Sequence, residues 1–351
     1  MIKNLWYAVL NSKEVKKGKI TSAKRMGRNL VFWRLENGEV ACIEKWKIGN
    51  LDQSLIIYGR DIDNPAMLFL HGGPGFSEFP YVNYINKKLE KHLTFIYWEQ
   101  RGSVKSPTDS ITDKTINLNQ LVKDTIEVAE KVKKKFKKEK IYLLGHSWGT
   151  LPGILAAHKR PDLFHAYIGI SQIVNWLESD KLAHKWALDK AKKEKNIKAI
   201  DELKKVVPYS SKDFKKKQVL MKWVANFGGG MTHVKKSMFH TFIYPLIKVR
   251  EFTFTDKLNF FPSGMKSMNL LWEEIIRVNL FKKIQRIKIP VYILHGKFDQ
   301  QVSYVLSKQY FNKLKSPGKK FYTFDRSAHG VIWEEPKKYK KIIINDILNK
   351  R

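Results

Sequence analysis

A chain of 351 residues, 43% of them hydrophobic, is long enough for one large α/β core with an insertion. Its single cysteine, Cys42, excludes a disulfide framework and any cysteine-rich metal or iron–sulfur site, and no apolar stretch approaches the roughly 18 residues of a membrane span. The formal charge of +33 raises nucleic acid or an anionic membrane as partners, but only 11 of the 66 basic residues are arginine, the better side chain for phosphate recognition. Scattered lysine instead predicts a solvated surface and no specific nucleic-acid partner. Met1 to Gly18 is too polar for the core of a signal peptide, so cytoplasmic residence is expected.

The first 45 residues read as a separate extension. Leu30 to Arg34 and Val40 to Ile43, joined through Asn37-Gly38, form a β-hairpin pattern. With Asn4-Leu5-Trp6-Tyr7 this hairpin resembles the opening strands of a Rieske-type domain. The cysteine and histidine pairs that such a domain needs do not follow, so no cluster is expected and the extension is read as redox-incompetent, either an edge hairpin packed on the rest of the chain or a partly disordered appendage.

From Trp46 onward, apolar runs predict strands at Ser54 to Tyr58, Met67 to Leu70, Thr94 to Trp98, Ile141 to Leu144 and Ala166 to Ile170, with helices between them. The strand at Met67 ends in His71-Gly72-Gly73-Pro74-Gly75, a glycine-rich loop able to offer a backbone N–H to an oxyanion. Leu118, Val122, Thr125, Ala129, Val132 and Phe136 recur at spacings of three and four, which makes the lysine run 131–140 the solvated face of a helix. The strand at Ile141 runs into Gly145-His146-Ser147-Trp148-Gly149 and then a helical stretch from Thr150 to His158. A serine at such a turn reads as a nucleophile elbow, and Ser147 is the candidate nucleophile. Backbone N–H groups of Gly73 and Trp148 are the candidate oxyanion donors.

Residues 173–284 read as mostly helical, interrupted by Phe227-Gly228-Gly229-Gly230 and by Phe260-Phe261-Pro262-Ser263-Gly264. That insertion is the expected cap. Its aromatics Trp176, Trp186, Trp223, Phe227, Phe260, Phe261 and Trp272 read more readily as cap core than as pocket lining. Strand patterns resume at Val291 to Leu294, leading into Asp299, and at Lys320 to Phe324, leading into Asp325 and His329, before a closing helix from Pro336 to Leu348. His329 is the candidate base and Asp299 the acid that orients it; Asp325 is the rival acid, and His71, His146 and His295 read as serving packing and hydrogen bonding. The order Ser147, Asp299, His329 is that of the α/β-hydrolases.

His71-Gly72-Gly73-Pro74-Gly75, Glu99-Gln100-Arg101-Gly102 and the elbow together resemble the proline iminopeptidase branch of the α/β-hydrolases, over residues 46–351. The resemblance implies a mostly parallel sheet flanked by helices, with a helical cap inserted after the sixth strand: core 46–172 and 285–351, cap 173–284. It also implies a serine hydrolase without metal or cofactor that removes N-terminal residues from short peptides or cleaves related small amides. In that branch acidic cap residues hold the substrate's amino group, and Glu178, Glu273 and Glu274 are the candidates here. A carboxylesterase acting on small acyl esters uses the same triad, and a non-enzymatic binding protein on this scaffold is the alternative of another class.

Overall fold

The computed structural model describes residues 20–25, 28–34, 40–106, 111–112, 114–206, 214–234, 237 and 239–349. Among these residues ten strands form one sheet: β1 (Ile20–Arg25), β2 (Arg28–Arg34), β3 (Val40–Ile48), β4 (Leu51–Gly59), β5 (Ala66–Leu70), β6 (Thr94–Trp98), β7 (Ile141–His146), β8 (Phe164–Ile170), β9 (Val291–Gly296) and β10 (Lys319–Phe324). Their spatial order is β1-β2-β3-β4-β6-β5-β7-β8-β9-β10. The first four strands pair antiparallel in succession and β4 joins β6 antiparallel, whereas every pairing from β6 to β10 is parallel. β5, β6, β7 and β9 are buried along their whole length, as unbroken apolar runs covered on both faces require.

The helices are α1 (Phe79–Asn86), α2 (Leu118–Lys135), α3 (Thr150–Lys159), α4 (Trp176–Lys193), α5 (Ile197–Lys204), α6 (Phe214–Asn226), α7 (Tyr244–Lys248), α8 (Phe254–Arg277), α9 (Leu280–Lys283), α10 (Tyr304–Lys313), α11 (Val331–Glu334) and α12 (Pro336–Lys341), the last continuing as a π-helical stretch to Leu348. One face of the sheet packs on α2, α3 and α10 and the other on α1, α11 and α12, which yields two apolar cores. The predicted stripe of α2 is buried from Leu118 to Phe136, with Lys133, Lys134 and Lys135 in the last turn beside the negative end of the helix dipole. Helices α4 to α8 follow β8, the sixth strand counted from β3, and α4, α5 and α6 share a small core of their own around Ala187, Leu203 and Leu220.

Two expectations change. The boundary drawn after residue 45 falls inside β3, because Gly49 and Asn50 (φ 51° and 64°) form a tight turn that pairs Val40–Ile48 with Leu51–Gly59 along nine residues. Such paired positive φ values are those of a type I′ hairpin turn. Consequently the hairpin strands β2 and β3 belong to the main sheet; Asn4 to Tyr7 and the Asn37-Gly38 turn lie outside the described residues. In the cap, Pro262 does not interrupt the helix. α8 runs through it, since Pro262 stands on the exposed face while Phe260, Gly264, Ser267, Leu271 and Ile275 hold the opposite face buried. Thr253 and Asp256 close a capping box at its start.

Candidate active site

Strand order reverses at β5, which lies between β6 and β7, so the carboxyl ends of β5 and β7 border the crevice where ligands collect in open α/β sheets. Gly72 and Gly73 leave the first of these ends and Ser147 the second. Ser147 has φ 51° and is followed by one tight helical turn, Ser147–Gly149. A side chain on either flanking glycine would collide with backbone: a Cβ on Gly145 would stand 2.5 Å from the Gly149 carbonyl oxygen, and one on Gly149 2.2 Å from that of Leu70. The elbow is therefore a strained serine held by two obligatory glycines. Trp148 lies in the first helical turn, where N–H groups lack internal acceptors. Gly73 has φ 111°, a conformation that L side chains rarely adopt.

Gln100 ties the two loops together. Its amide donates to the His71 carbonyl at 2.9 Å and accepts from the Trp148 indole at 3.1 Å, and its backbone N–H meets His71 Nε2 at 3.2 Å. Glu99 accepts from the hydroxyls of Ser77 and Ser103, and Arg101 forks onto Asp124 at 2.7 and 3.1 Å. Glu99-Gln100-Arg101 thus braces the site from behind. Burial pushes the Glu99 carboxyl up despite His71, Ser77 and Lys105 nearby.

At the far side of the sheet the β9 and β10 loops meet. His329 Nδ1 lies 2.8 Å from Asp299 Oδ2, both side chains being closed to solvent. Oδ1 of Asp299 accepts from the backbone N–H groups of Gln301 and Val302 at 2.9 Å each, and His295 Nε2 stands 3.2 Å from Oδ2. Burial pushes the Asp299 carboxyl up, but His329 and His295 outweigh it and hold Asp299 well below the usual carboxylate range. Burial lowers the His329 pKa, and Asp299 only partly offsets that. His329 Nε2 is enclosed and has no hydrogen-bond partner among the described residues. The His329 ring packs 5.0 Å from that of His146, the neighbour of Ser147, and the His329 carbonyl accepts from Ser171 Oγ at 2.9 Å. Asp325 stands apart, with a 66% exposed carboxylate 3.4 Å from Lys338 Nζ.

Three features escaped the sequence reading. The glycine-rich turn after α6 lays its carbonyls on the loops of Asp299 and His329: Gly229 accepts from Gln300 N–H at 2.9 Å, Gly230 from His329 N–H at 3.1 Å and Met231 from Gly330 N–H at 2.8 Å. His295 supports the same carboxylate as His329. Glu78, at the start of α1, meets His146 Nδ1 at 2.5 Å. No spacing rule marks a glutamate three residues past a glycine loop as part of a site. Among the cap glutamates, Glu178 pairs with Lys181 at 3.4 Å, Glu273 with Arg277 at 3.1 Å, and Glu274 accepts from the Leu118 N–H at 2.6 Å. None of the three is brought into contact with Ser147, Asp299 or His329.

A family profile described as the alpha/beta hydrolase fold matches residues 65–227. The probable aminopeptidase YbaC of Bacillus subtilis (strain 168) is 33% identical over 308 residues, 86% of this chain and 94% of the relative. The chain belongs to the α/β-hydrolase family. A proline iminopeptidase of Heyndrickxia coagulans is 24% identical to this hydrolase across 81% of the chain and 90% of the relative. The solved proline iminopeptidase of Mycobacterium smegmatis shares its fold with a TM-score of 0.62 at 15% identity, over 88% of this chain and 98% of the other. A Rieske [2Fe-2S] domain profile matches residues 5–46. The residues present do not fit that cluster: the chain has one cysteine, and burial beside Glu44 pushes the Cys42 thiol up to about 12, which keeps it protonated. Among the described residues no helix is long and apolar enough to cross a membrane.

Proposed function

We propose that this hydrolase is a serine aminopeptidase that releases the N-terminal residue of short peptides through an acyl-enzyme. The reading is carried by the buried Asp299–His329 pair, whose imidazole keeps Nε2 unpartnered among the described residues and packs on His146, the residue before Ser147; the names of the similar proteins support the substrate class. Ser147 Oγ attacks the carbonyl of the N-terminal residue as its proton passes to His329 Nε2. Asp299 fixes the tautomer by accepting from Nδ1–H, and the Gly73 and Trp148 N–H groups receive the oxyanion. Collapse breaks the C–N bond, and His329 returns the proton to the leaving amine. Water then attacks the acyl-enzyme with His329 again as base, and Ser147 is regenerated. The scheme uses no metal and no cofactor.

The test is hydrolysis of alanyl and prolyl arylamides beside short-chain p-nitrophenyl esters, together with labelling by an active-site fluorophosphonate. Release from free-amine arylamides, with the label on Ser147, is the expected result. Ester cleavage alone would reassign the enzyme as a carboxylesterase, and no labelling would leave a binding protein on a hydrolase scaffold.

A further inference from the structure

The glycine-rich loop that carries Gly73 is packed against one helix of the cap, and Phe76 is the link. A Cβ on Gly73 would stand 2.7 Å from the Phe76 nitrogen and 3.2 Å from ring atom Cδ2, whereas one on Gly264 of α8 would stand 2.5 Å from Cε1 and Cζ and 2.6 Å from Cδ1. Opposite edges of one ring thus rest on two positions that leave no space for a side chain. A second contact lies beside the first. Ser267, three residues further along α8 and fully buried, donates from Oγ to the Gly102 carbonyl at 2.7 Å, and a Cβ on Gly75 would stand 2.6 Å from Ser267 Cβ. The loops after β5 and β6 therefore abut the same stretch of α8. That helix is itself tied to the core near both ends: Asp256 accepts from Lys105 Nζ at 2.6 Å, and Glu274 accepts from the Leu118 N–H at 2.6 Å. A close-packed contact shifts its neighbour instead of compressing, so the position of α8 is passed to the loop. Small shifts matter at an oxyanion hole, where about 1 Å of misplacement costs about 100-fold in rate.

We propose that Gly264 and Ser267 of α8 are positioning residues for the oxyanion loop: acting through Phe76 and Gly75, they set where the Gly73 N–H stands relative to Ser147. The inference rests on the serine-hydrolase mechanism proposed above, with Gly73 as a donor, and holds for amide and ester substrates alike. The oxyanion hole is then completed by the cap, although both of its donors belong to the strand-end loops.

The experiment compares Gly264→Ala and Ser267→Ala with wild type in hydrolysis of p-nitrophenyl butyrate, in inhibition by propyl trifluoromethyl ketone and in thermal unfolding, with alanine p-nitroanilide as substrate if wild type ignores the ester. Ser147 Oγ adds to the carbonyl carbon of that ketone and the carbonyl electron pair passes to oxygen, so its affinity reports on the oxyanion hole. In Gly264→Ala, kcat is expected to fall about 10- to 100-fold with KM changed less than about threefold, and the inhibition constant of the ketone to rise by a similar factor. Ser267→Ala keeps the packing and loses one hydrogen bond, and the same pattern is expected at about three- to tenfold. The deciding quantity is the ketone's inhibition constant divided by KM. A ratio that stays at the wild-type value overturns the inference, whether the variant binds substrate less well, as a pocket wall would, or is simply less stable. If Gly264→Ala does not fold, Phe76→Leu shortens the link without overpacking it and is judged by the same ratio. A wild type that turns over neither substrate and takes no fluorophosphonate on Ser147 rejects the serine-hydrolase reading itself, before any variant is made, and the inference falls with it.

Discussion

The carboxyl ends of the parallel strands and the helical cap contribute to the same site by opposite means. At the strand ends, backbone geometry imposes the residue type. Ser147 needs glycine on either side because a Cβ there would meet the Gly149 or Leu70 carbonyl, and Asp299 collects two backbone N–H groups from its own turn. The cap offers no such local rule. Its hydrogen bonds to the backbone of Gln300, His329 and Gly330 come from carbonyls, those of Gly229, Gly230 and Met231, which any residue possesses. The chemistry is therefore tied to short segments of sequence, while the cap's placement depends on packing between distant residues.

Mutations sharpen that contrast. Ser147→Ala is expected to lower turnover at least about 10,000-fold without moving the melting temperature appreciably, measured by arylamide hydrolysis beside thermal unfolding. Retained turnover would remove the strand ends from the chemistry. Asp299→Asn should cost about 1,000- to 10,000-fold in kcat by favouring the wrong imidazole tautomer. The pH profile of kcat/KM adds the sign. Burial lowers the His329 pKa, so with His329 as the proposed base the acid limb should fall below the ordinary histidine value of about 6.5. Because the Asp299 charge raises the His329 pKa, residual activity in Asp299→Asn should show that limb lower still.

On the cap side the expected effects are smaller. A Cβ at Gly229 would stand 2.7 Å from Gln300 Cγ, so Gly229→Val is expected to displace the turn that covers the Asp299 and His329 loops. Overpacking of this kind costs about 1–3 kcal/mol, and a ten- to hundredfold loss of kcat/KM with a lowered melting temperature is the expected result. No change in either would mean that the cap rests on these loops without holding them. Deleting residues 1–38, which leaves β3 whole, should change kcat/KM less than about twofold. Deletion of residues 1–45 removes most of β3 from its pairing with β4, and unfolding should then begin at a lower temperature.

The same contrast explains what could be read from the sequence. Apolar runs ending in glycine motifs located β5, β7, β9 and β10, and with them Ser147, Asp299 and His329, because strand period and turn chemistry are both local. The α2 stripe was legible for the same reason. The Gly49-Asn50 hairpin was not read from the sequence, because the break imposed near residue 45 cut through the strand it closes. Pro262 misled because a lone proline on an exposed face is outweighed by the buried face behind it. Glu78 was illegible: its meaning arises only when α1 brings it against His146, 68 positions away in sequence.

The four antiparallel strands that open the chain also decide what the sheet shows to other molecules. Among the described residues β1 forms one rim, six residues long, short enough to offer a passing strand little to pair with. Without β1 and β2 the rim would be the whole of β3, because Val40–Ile43 would lose the partner strand that covers them and join Glu44–Ile48, already unpaired on that edge. A truncated enzyme that still turns over substrate would thus leave nine contiguous residues open to pairing, and the change would register as precipitation during storage at high concentration sooner than as slower catalysis.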